Sequence, residues 1–199
     1  MKLAVFGAAG GTGRPLVAQA IERGHSVTAF VRMRPDEGLA DGVERVVTGD
    51  ARNRDAVDSA LRGVEAVVSA MGPKGPDPGS VYSEAIATVA HSMTRAGLRR
   101  LVISANAWVL DDRPLDGEFA AVSQEHRDAL ATLRACDLEW TVVATPMLSD
   151  DDEPTGYEAV LDARGSGESI DRHDYASALL DALEHDAWAG HIVDVSSPA

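Results

Sequence analysis

The chain has 199 residues, of which 45% are hydrophobic and 25% charged, a balance that is ordinary for one globular domain with a buried core. Its formal net charge of −14 disfavours nucleic acid and anionic membranes as partners, because their phosphates would be repelled. The single cysteine, Cys136, excludes an internal disulfide and a cysteine-based metal cluster, and we expect no metal site. Without a membrane-length apolar run or a signal-peptide pattern at the N-terminus, a cytoplasmic protein is expected.

Short apolar runs alternate with helical patterns along the whole chain. The apolar runs predict strands at 2–6, 26–31, 44–48, 65–70, 99–105, 139–144 and 191–195. The helical patterns predict helices at 14–24, 55–63, 81–97, 118–135 and 173–186. Near-continuous apolar strands separated by helices are typical of a mostly parallel sheet covered on both faces. The sequence therefore predicts a single doubly wound, Rossmann-type α/β domain over 1–199.

A glycine-rich turn, GAAGGTG, joins the first predicted strand to the first predicted helix. Its spacing, Gly7-x-x-Gly10-x-x-Gly13, is one residue longer in the first gap than the usual dinucleotide motif. Such a turn lets backbone N–H groups approach a pyrophosphate, and the helix dipole adds attraction. Right-handed crossovers also place the reversal of strand order beside the first strand, where doubly wound sheets bind ligands. The predicted contacts in this turn are Gly7, Ala9, Gly10, Gly11, Thr12 and Gly13.

The end of the second predicted strand indicates which dinucleotide is bound. An Asp or Glu there would accept a hydrogen bond from the adenosine ribose of NAD, whereas an Arg would pair with the 2′-phosphate of NADP. The sequence AFVRMR places Arg32 at this position and Arg34 close behind it, and no carboxylate precedes Asp36. This pattern favours NADP(H) over NAD(H). Solvated surface arginines are the alternative interpretation.

Two further strand ends supply candidate cofactor contacts. After the third strand, Asp50 is placed to accept from the adenine amino group and Ala51 to pack on the ring. A turn or helix cap is the alternative role for Asp50. After the fourth strand, the segment SAMG lets the backbone pass close to the cofactor at Ala70, Met71 and Gly72.

With these motifs in place, the chain resembles the atypical short-chain dehydrogenase/reductases of the NAD(P)H-binding type, the group that includes biliverdin reductase B and NADH-flavin reductases. The similarity runs nearly end to end, through GAAGGTG, AFVR, VVTGDARNRDAV, VYSEAIATVAHSMTRAGLRRLVIS, LRACDLEWTVVATPML and IDRHDYASALLDALE. In relatives the Asp at the position of Asp174 in this chain caps the final helix. The resemblance thus implies that Asp174 is the helix cap.

The segments that carry the catalytic residues in this family differ here from the usual short-chain dehydrogenase pattern. Standard short-chain dehydrogenases use a Tyr-x-x-x-Lys pair, and the matching segment 118–135 contains neither residue. The resemblance places Asn106 where the family carries Ser or Thr, and an amide cannot relay a proton as a hydroxyl does. It places His126 at the family's helix histidine, as the candidate proton donor. An exposed histidine without a role is the alternative for His126, and Ser104 is a candidate substitute hydroxyl or a buried hydroxyl bonded to backbone.

Residues after the fifth and sixth strands are candidates for contact with the ligands. Trp108 could stack on a planar substrate or belong to the core. The segment ATPML supplies Pro146 beside the cofactor and Met147, at a position where biliverdin-reductase-like members can carry a histidine. A thioether packs but gives no proton. We expect an open, shallow substrate site formed by the loops at 71–80, 107–118 and 147–157.

These features lead to the hypothesis of an NADPH-dependent oxidoreductase that transfers hydride to a small planar organic acceptor, such as a flavin or a quinone, without a Tyr–Lys pair. Two alternatives stay open. One is a non-redox isomerase, dehydratase or cyclase of secondary metabolism on the same scaffold, and the other is a non-catalytic NADP(H)-sensing regulator. The expected assembly is a monomer or a homodimer.

Overall fold

The computed structural model describes residues 1–33, 39–75, 78–111, 117, 119–150 and 155–198. The elements follow one another as β1 (Lys2–Phe6), α1 (Gly13–Glu22), β2 (Ser26–Val31), β3 (Arg45–Thr48), α2 (Arg54–Ala60), β4 (Ala66–Ser69), α3 (Val81–Ala96), β5 (Arg100–Asn106), α4 (Ala120–Arg134), β6 (Glu139–Thr145), β7 (Leu148–Ser149), β8 (Glu158–Leu161), β9 (Ile170–Asp171), α5 (Arg172–Glu184) and β10 (Ile192–Ser196). Short 3₁₀ helices follow β5 and α5. Each predicted strand and helix is present with slightly shifted ends, whereas β7, β8 and β9 were not predicted.

The strands of the main sheet lie in the order β3-β2-β1-β4-β5-β6-β10-β8. All neighbouring pairs are parallel except β10 and β8, which are antiparallel. The prediction of a mostly parallel, doubly wound α/β sheet is confirmed. The order reverses between β1 and β4, so the carboxyl ends of these two strands open a crevice of the kind that binds ligands in such sheets.

Two hydrophobic cores cover the two faces of the sheet. Because side chains alternate along a strand, Phe6 of β1 faces the core that includes α2, α3 and α4, and Val5 faces the core that includes α1 and α5. In the first core the rings of Phe6 and Phe30 stack with centroids 4.6 Å apart. Full burial of each such side chain contributes about 1.5–3 kcal/mol, and these contacts hold the strand ends in fixed positions.

A separate two-stranded sheet lies after β6. Leu148 of β7 pairs in parallel with Ile170 of β9, and Ser149 pairs with Asp171. This pairing places the chain after β6 beside the first turn of α5. Within the described part of the chain, no helix combines the length and the apolar character needed to cross a membrane.

The start of α5 differs from the prediction. The cap is Asp171, whose side chain accepts a hydrogen bond from the His173 N–H at 2.7 Å. Asp174 is buried, and its Oδ2 accepts from the N–H groups of Thr155 and Gly156 at 2.8 and 3.0 Å. The prediction of Asp174 as the cap is wrong because the helix begins at Arg172, which leaves Asp171 extended and in the capping position. Asp174 instead anchors the chain that leads into β8.

Replacing Asp171 by Ala is expected to lower the free energy of unfolding by about 1 kcal/mol at neutral pH. Burial opposes ionisation of Asp171, but the hydrogen bonds and charge of His173 outweigh it and hold the pKa of this carboxyl below its ordinary value. The stabilisation is therefore present above the pKa of an unfolded Asp and is lost as the pH falls through the lower folded-state pKa. Urea denaturation at pH 7 and in acid measures both effects.

The matched control for this measurement is Ser80→Ala. Ser80 is the N-cap residue of α3, but its side chain makes no capping hydrogen bond. Equal losses in the two variants would contradict the capping role of Asp171.

Candidate cofactor-binding site

A cavity of about 540 Å³ opens at the carboxyl ends of β1, β2, β3 and β4, where the strand order reverses. Five separate segments of the sequence meet in its wall, and the fifth is the start of α3 with Val81, Tyr82 and Ala85. The predicted cofactor contacts that line it are Gly7, Ala9, Gly10, Arg32, Asp50, Ala51, Ala70, Met71 and Gly72. The structure therefore brings together the glycine turn, the Arg32 strand end, the segment at Asp50 and the segment after β4. Arg34 lies outside the described residues.

The glycine turn is folded so tightly that a side chain is excluded at two positions. Gly7 has φ +75°, and a Cβ there would lie 3.0 Å from the backbone of Ala70 and Met71. A Cβ on Gly13 would lie 2.0 Å from the Gly7 carbonyl oxygen. These contacts hold the start of α1 against the end of β1.

The same turn presents unused backbone donors. The Gly10 N–H donates back to the Gly7 carbonyl at 2.9 Å. The N–H groups of Gly11 and Thr12 have no acceptor among the described residues, as is usual for the first turn of a helix. Free N–H groups at a helix N-terminus bind anions well, so the turn fits the pyrophosphate of a dinucleotide.

The end of the cavity formed by β2 and β3 carries Arg32 and an ion pair. The exposed Arg32 guanidinium has no carboxylate within ion-pair distance among the described residues. Asp50 is bound by Arg52, with Nη2–Oδ2 at 2.8 Å and Nε–Oδ1 at 3.1 Å, and it also accepts from the Arg52 N–H at 2.8 Å. These hydrogen bonds lower the pKa of Asp50 to about 2. Asp50 thus forms a turn with Arg52, which is one of its two alternative roles. The other role, the cap of α2, is taken by Asn53.

Ser104 and Asn106 lie at the carboxyl end of β5, behind the cavity wall. The Ser104 hydroxyl donates to the Met71 carbonyl at 2.6 Å and so holds the segment after β4 in place. The Asn106 Nδ2 donates to the Ser123 hydroxyl at 3.3 Å. The Asn106 Oδ1 is buried and has no partner in the described part of the chain. Neither side chain lines the cavity.

His126 is buried on α4, with 6% of its surface exposed. Its ring meets the edge of the Tyr82 ring at a centroid distance of 4.8 Å, and Tyr82 lies between it and the cavity. Burial lowers the pKa of His126 to about 4. The expectation of an exposed histidine is wrong because this residue faces the core. A charged, proton-donating imidazole is not available here at neutral pH.

The candidate substrate contacts lie at the ends of β5 and β6. Asn106 pairs with Thr145 across these strands, so the following segments leave the sheet side by side. Trp108 is half-buried, with its ring 5.4 Å from the ring of Phe119. Met147 and Phe119 are 63% and 52% exposed, whereas Pro146 is half-buried. This apolar surface is distinct from the cavity wall.

Three polar or charged residues of the cavity wall were not among the predicted contacts: Arg52, Lys74 and Tyr82. Arg52 follows Asp50 by two residues, a spacing that permits the observed ion pair. Lys74 is one of the two lysines of the chain, and it stands in the loop already predicted to cover the site. Tyr82 resembled an ordinary core position of α3, and only the fold shows that it reaches the cavity.

A glycine turn between the first strand and helix of a doubly wound sheet, with free donors and an arginine at the next strand end, defines a dinucleotide-binding protein of the Rossmann type. The chain belongs to the NAD(P)H-binding family, whose sequence model matches residues 7–186.

Two curated relatives share part of their length with this chain. An uncharacterised protein of Mycobacterium tuberculosis is 28% identical over 148 residues, which cover 74% of this chain and 15% of that protein. The 3-diazoavenalumate denitrifying reductase of a Streptomyces species is 36% identical over 120 residues, or 54% of this chain and 38% of the reductase. The similarity thus spans well under half the length of either relative.

Solved structures match over the whole chain. A candidate NADH-flavin reductase from Streptococcus pneumoniae is 26% identical, with a TM-score of 0.84 and full coverage of both chains. A short-chain dehydrogenase/reductase from Veillonella parvula in complex with NADP is 21% identical, with a TM-score of 0.82 over 100% of this chain and 95% of that one. The second likeness shows the shared fold.

The buried state of His126 predicts a specific loss of stability in mild acid. The unfolded chain takes up a proton on this histidine below about pH 6.5, whereas the folded chain does so only near pH 4. Lowering the pH through this window should therefore destabilise the fold, by up to about 3 kcal/mol. In His126→Gln this part of the pH dependence should be absent, as measured by urea denaturation between pH 7.5 and pH 4.

Replacing the exposed His185 by Gln is the matched control and should leave the wild-type slope in place. A His126→Gln profile parallel to that of the wild type would show that His126 is not buried in its neutral form.

Proposed function

We propose that the protein is an NADPH-preferring reductase that transfers hydride to a planar, electron-poor organic acceptor such as a flavin or a quinone. The cofactor assignment rests on one residue of the cavity wall, Arg32. It lines the cavity at the end of β2 with no carboxylate partner among the described residues, whereas Arg52 is held by Asp50. A guanidinium with no carboxylate partner in the described part of the chain, in a protein of net charge −14, supports a dianionic 2′-phosphate as its ligand.

The chain's own residues divide the binding work between the two ends of the site. The glycine turn would hold the pyrophosphate, and Arg32 the 2′-phosphate. Ala51 is buried at the adenine end and would pack on the ring. The nicotinamide riboside would lie near Met71, whose carbonyl is fixed by Ser104. When bound, the dinucleotide supplies the hydride, and the protein supplies position and charge.

The tyrosines near the site favour an acceptor that needs no poised acid. The Tyr82 hydroxyl donates to the backbone carbonyl of Ser104, and the Tyr175 hydroxyl donates to that of Val143, each at 2.8 Å. Burial raises the pKa of both phenols above the ordinary value for tyrosine. The segment 118–135 offers no Tyr or Lys, and its histidine is neutral. An electrophilic ring can accept hydride and take its proton from water, whereas a simple ketone requires a proton donor at the oxygen.

The relatives support this class of reaction. The streptococcal neighbour is described as a candidate NADH-flavin reductase and the Streptomyces relative as a denitrifying reductase. The apolar side chains of Trp108 and Met147, which follow β5 and β6, and of Phe119 before α4 suit a planar, uncharged ring.

Arg32→Ala is expected to weaken NADPH binding by about 1–3 kcal/mol through loss of a charge-assisted contact. The corresponding change in Kd is about 5- to 150-fold, while the Kd for NADH should stay within about twofold. Titration calorimetry with both cofactors measures this. Arg54→Ala removes another exposed arginine, outside the cavity, and serves as the control. Equal losses for NADPH and NADH in Arg32→Ala would overturn the assignment of the 2′-phosphate to Arg32.

The reaction itself is tested by mixing the protein with NADPH or NADH and a panel of flavins, quinones and simple ketones. We expect loss of the reduced-nicotinamide absorbance with flavins or quinones, faster with NADPH, and none with the ketones. Tight NADPH binding without turnover on any acceptor would contradict the reductase proposal. That outcome would favour an NADP(H)-sensing regulator or a non-redox enzyme.

A further inference from the structure

A further cation, outside the cavity wall, lies against the glycine turn. Arg172 is the first residue of α5. A Cβ added to Gly11 would lie 3.3 Å from its Nη1, 3.4 Å from its Cζ and 3.5 Å from its Nε. The guanidinium therefore packs flat on the exposed surface of Gly11, beside the N–H groups that have no acceptor among the described residues.

A carboxylate holds this guanidinium in the structure. The Arg172 Nε donates to the Asp150 Oδ1 at 2.5 Å. The pairing of Ser149 with Asp171 between β7 and β9 brings the two residues together, since each directly follows a paired strand residue. Asp150 is 77% exposed, and an ion pair so open to water is weak and easily exchanged.

A dinucleotide on the turn would bring a better partner to the same guanidinium. A pyrophosphate bound by the N–H groups of Gly11 and Thr12 would carry two negative charges to the surface on which Arg172 lies. A guanidinium binds phosphate oxygens through two parallel hydrogen bonds, which is stronger than a single contact to an exposed carboxylate. Because the chain carries a net charge of −14, a local cation at this point offsets the repulsion that an anionic cofactor meets.

We propose that Arg172 is a pyrophosphate ligand of the cofactor, and that Asp150 occupies its guanidinium in the free protein and must be displaced for binding. The inference rests on the cofactor site of the proposed function. It does not depend on the preference for NADPH or on the acceptor, because the pyrophosphate is common to both dinucleotides. Asp150 acts as an internal competitor, so removing its charge strengthens binding.

The test measures the Kd values of NADPH, NADH and ADP at fixed ionic strength for the wild type, Arg172→Ala, Asp150→Asn and the double variant. ADP carries the pyrophosphate without the nicotinamide. Arg172→Ala should weaken all three by a common factor of about tenfold, because a charge-assisted contact is lost. Asp150→Asn should tighten all three by about threefold, and should have no effect once Arg172 is absent. Asp137→Asn, which neutralises a carboxylate that is 94% exposed and paired with Arg99, is the charge-matched control and should change nothing.

Three results would overturn the proposal. One is an unchanged affinity in Arg172→Ala, another is an Asp150→Asn variant that binds no tighter than Asp137→Asn, and the third is tightening by Asp150→Asn that persists without Arg172. If Arg172→Ala does not fold, the test uses Arg172→Lys and Asp150→Asn instead. Arg172→Lys keeps a cation, and Asp150→Asn changes only an exposed side chain. The Arg32→Ala variant changes the ratio of NADPH to NADH affinity and the Arg172 variants leave it unchanged, so each assignment fails separately.

Discussion

The site depends on a steric constraint within one turn of backbone. Only a hydrogen atom fits between the Gly13 Cα and the Gly7 carbonyl, and only a glycine adopts the Gly7 conformation against Ala70 and Met71. The first contact fixes where α1 begins, and with it the position of the unpaired donors of its first turn. The second brings the end of β4 to the same place. The shape of the cavity is therefore set by main-chain contacts, and the side chains around it decide which ligand it holds.

Much of this architecture could be predicted because the buried strands and amphipathic helices carry strong periodic signals. The strands β7 and β9 have two residues each, too few to show a period, and all four residues of β8 are exposed, so no alternation marks it. His126 is instructive, because it stands three, four and seven residues before the buried Ala129, Leu130 and Leu133. That spacing indicates the buried face of a helix. Asp171 and Asp174 are equally good caps by composition, and only the backbone conformation distinguishes them.

The sequence could show which charged residues stand near the site, but not which of them are paired with an opposite charge. The sequence placed cations near the second strand end, yet whether a guanidinium is free or already paired depends on contacts that the fold creates. Arg52 is neutralised locally by Asp50, whereas Arg32 has no ion-pair partner among the residues that the structure describes. Arg172 and Asp150 come together only because β7 and β9 pair. For an anionic ligand the difference between a free and an occupied cation decides affinity, and this difference is a tertiary property.

Tyr82 and Tyr175 approach the end of the sheet from opposite faces, and each phenol binds a strand carbonyl. The carboxyl ends of β5 and β6 are thus held from both faces of the sheet by buried hydrogen bonds that are costly to break. The side chains of Met147 and Phe119, by contrast, are largely open to water. Substitutions at exposed positions of this kind usually change stability by less than about 0.5 kcal/mol. If the proposed reductase function holds, its choice of acceptor can therefore be altered through these two side chains alone, with the residues around the cavity left intact.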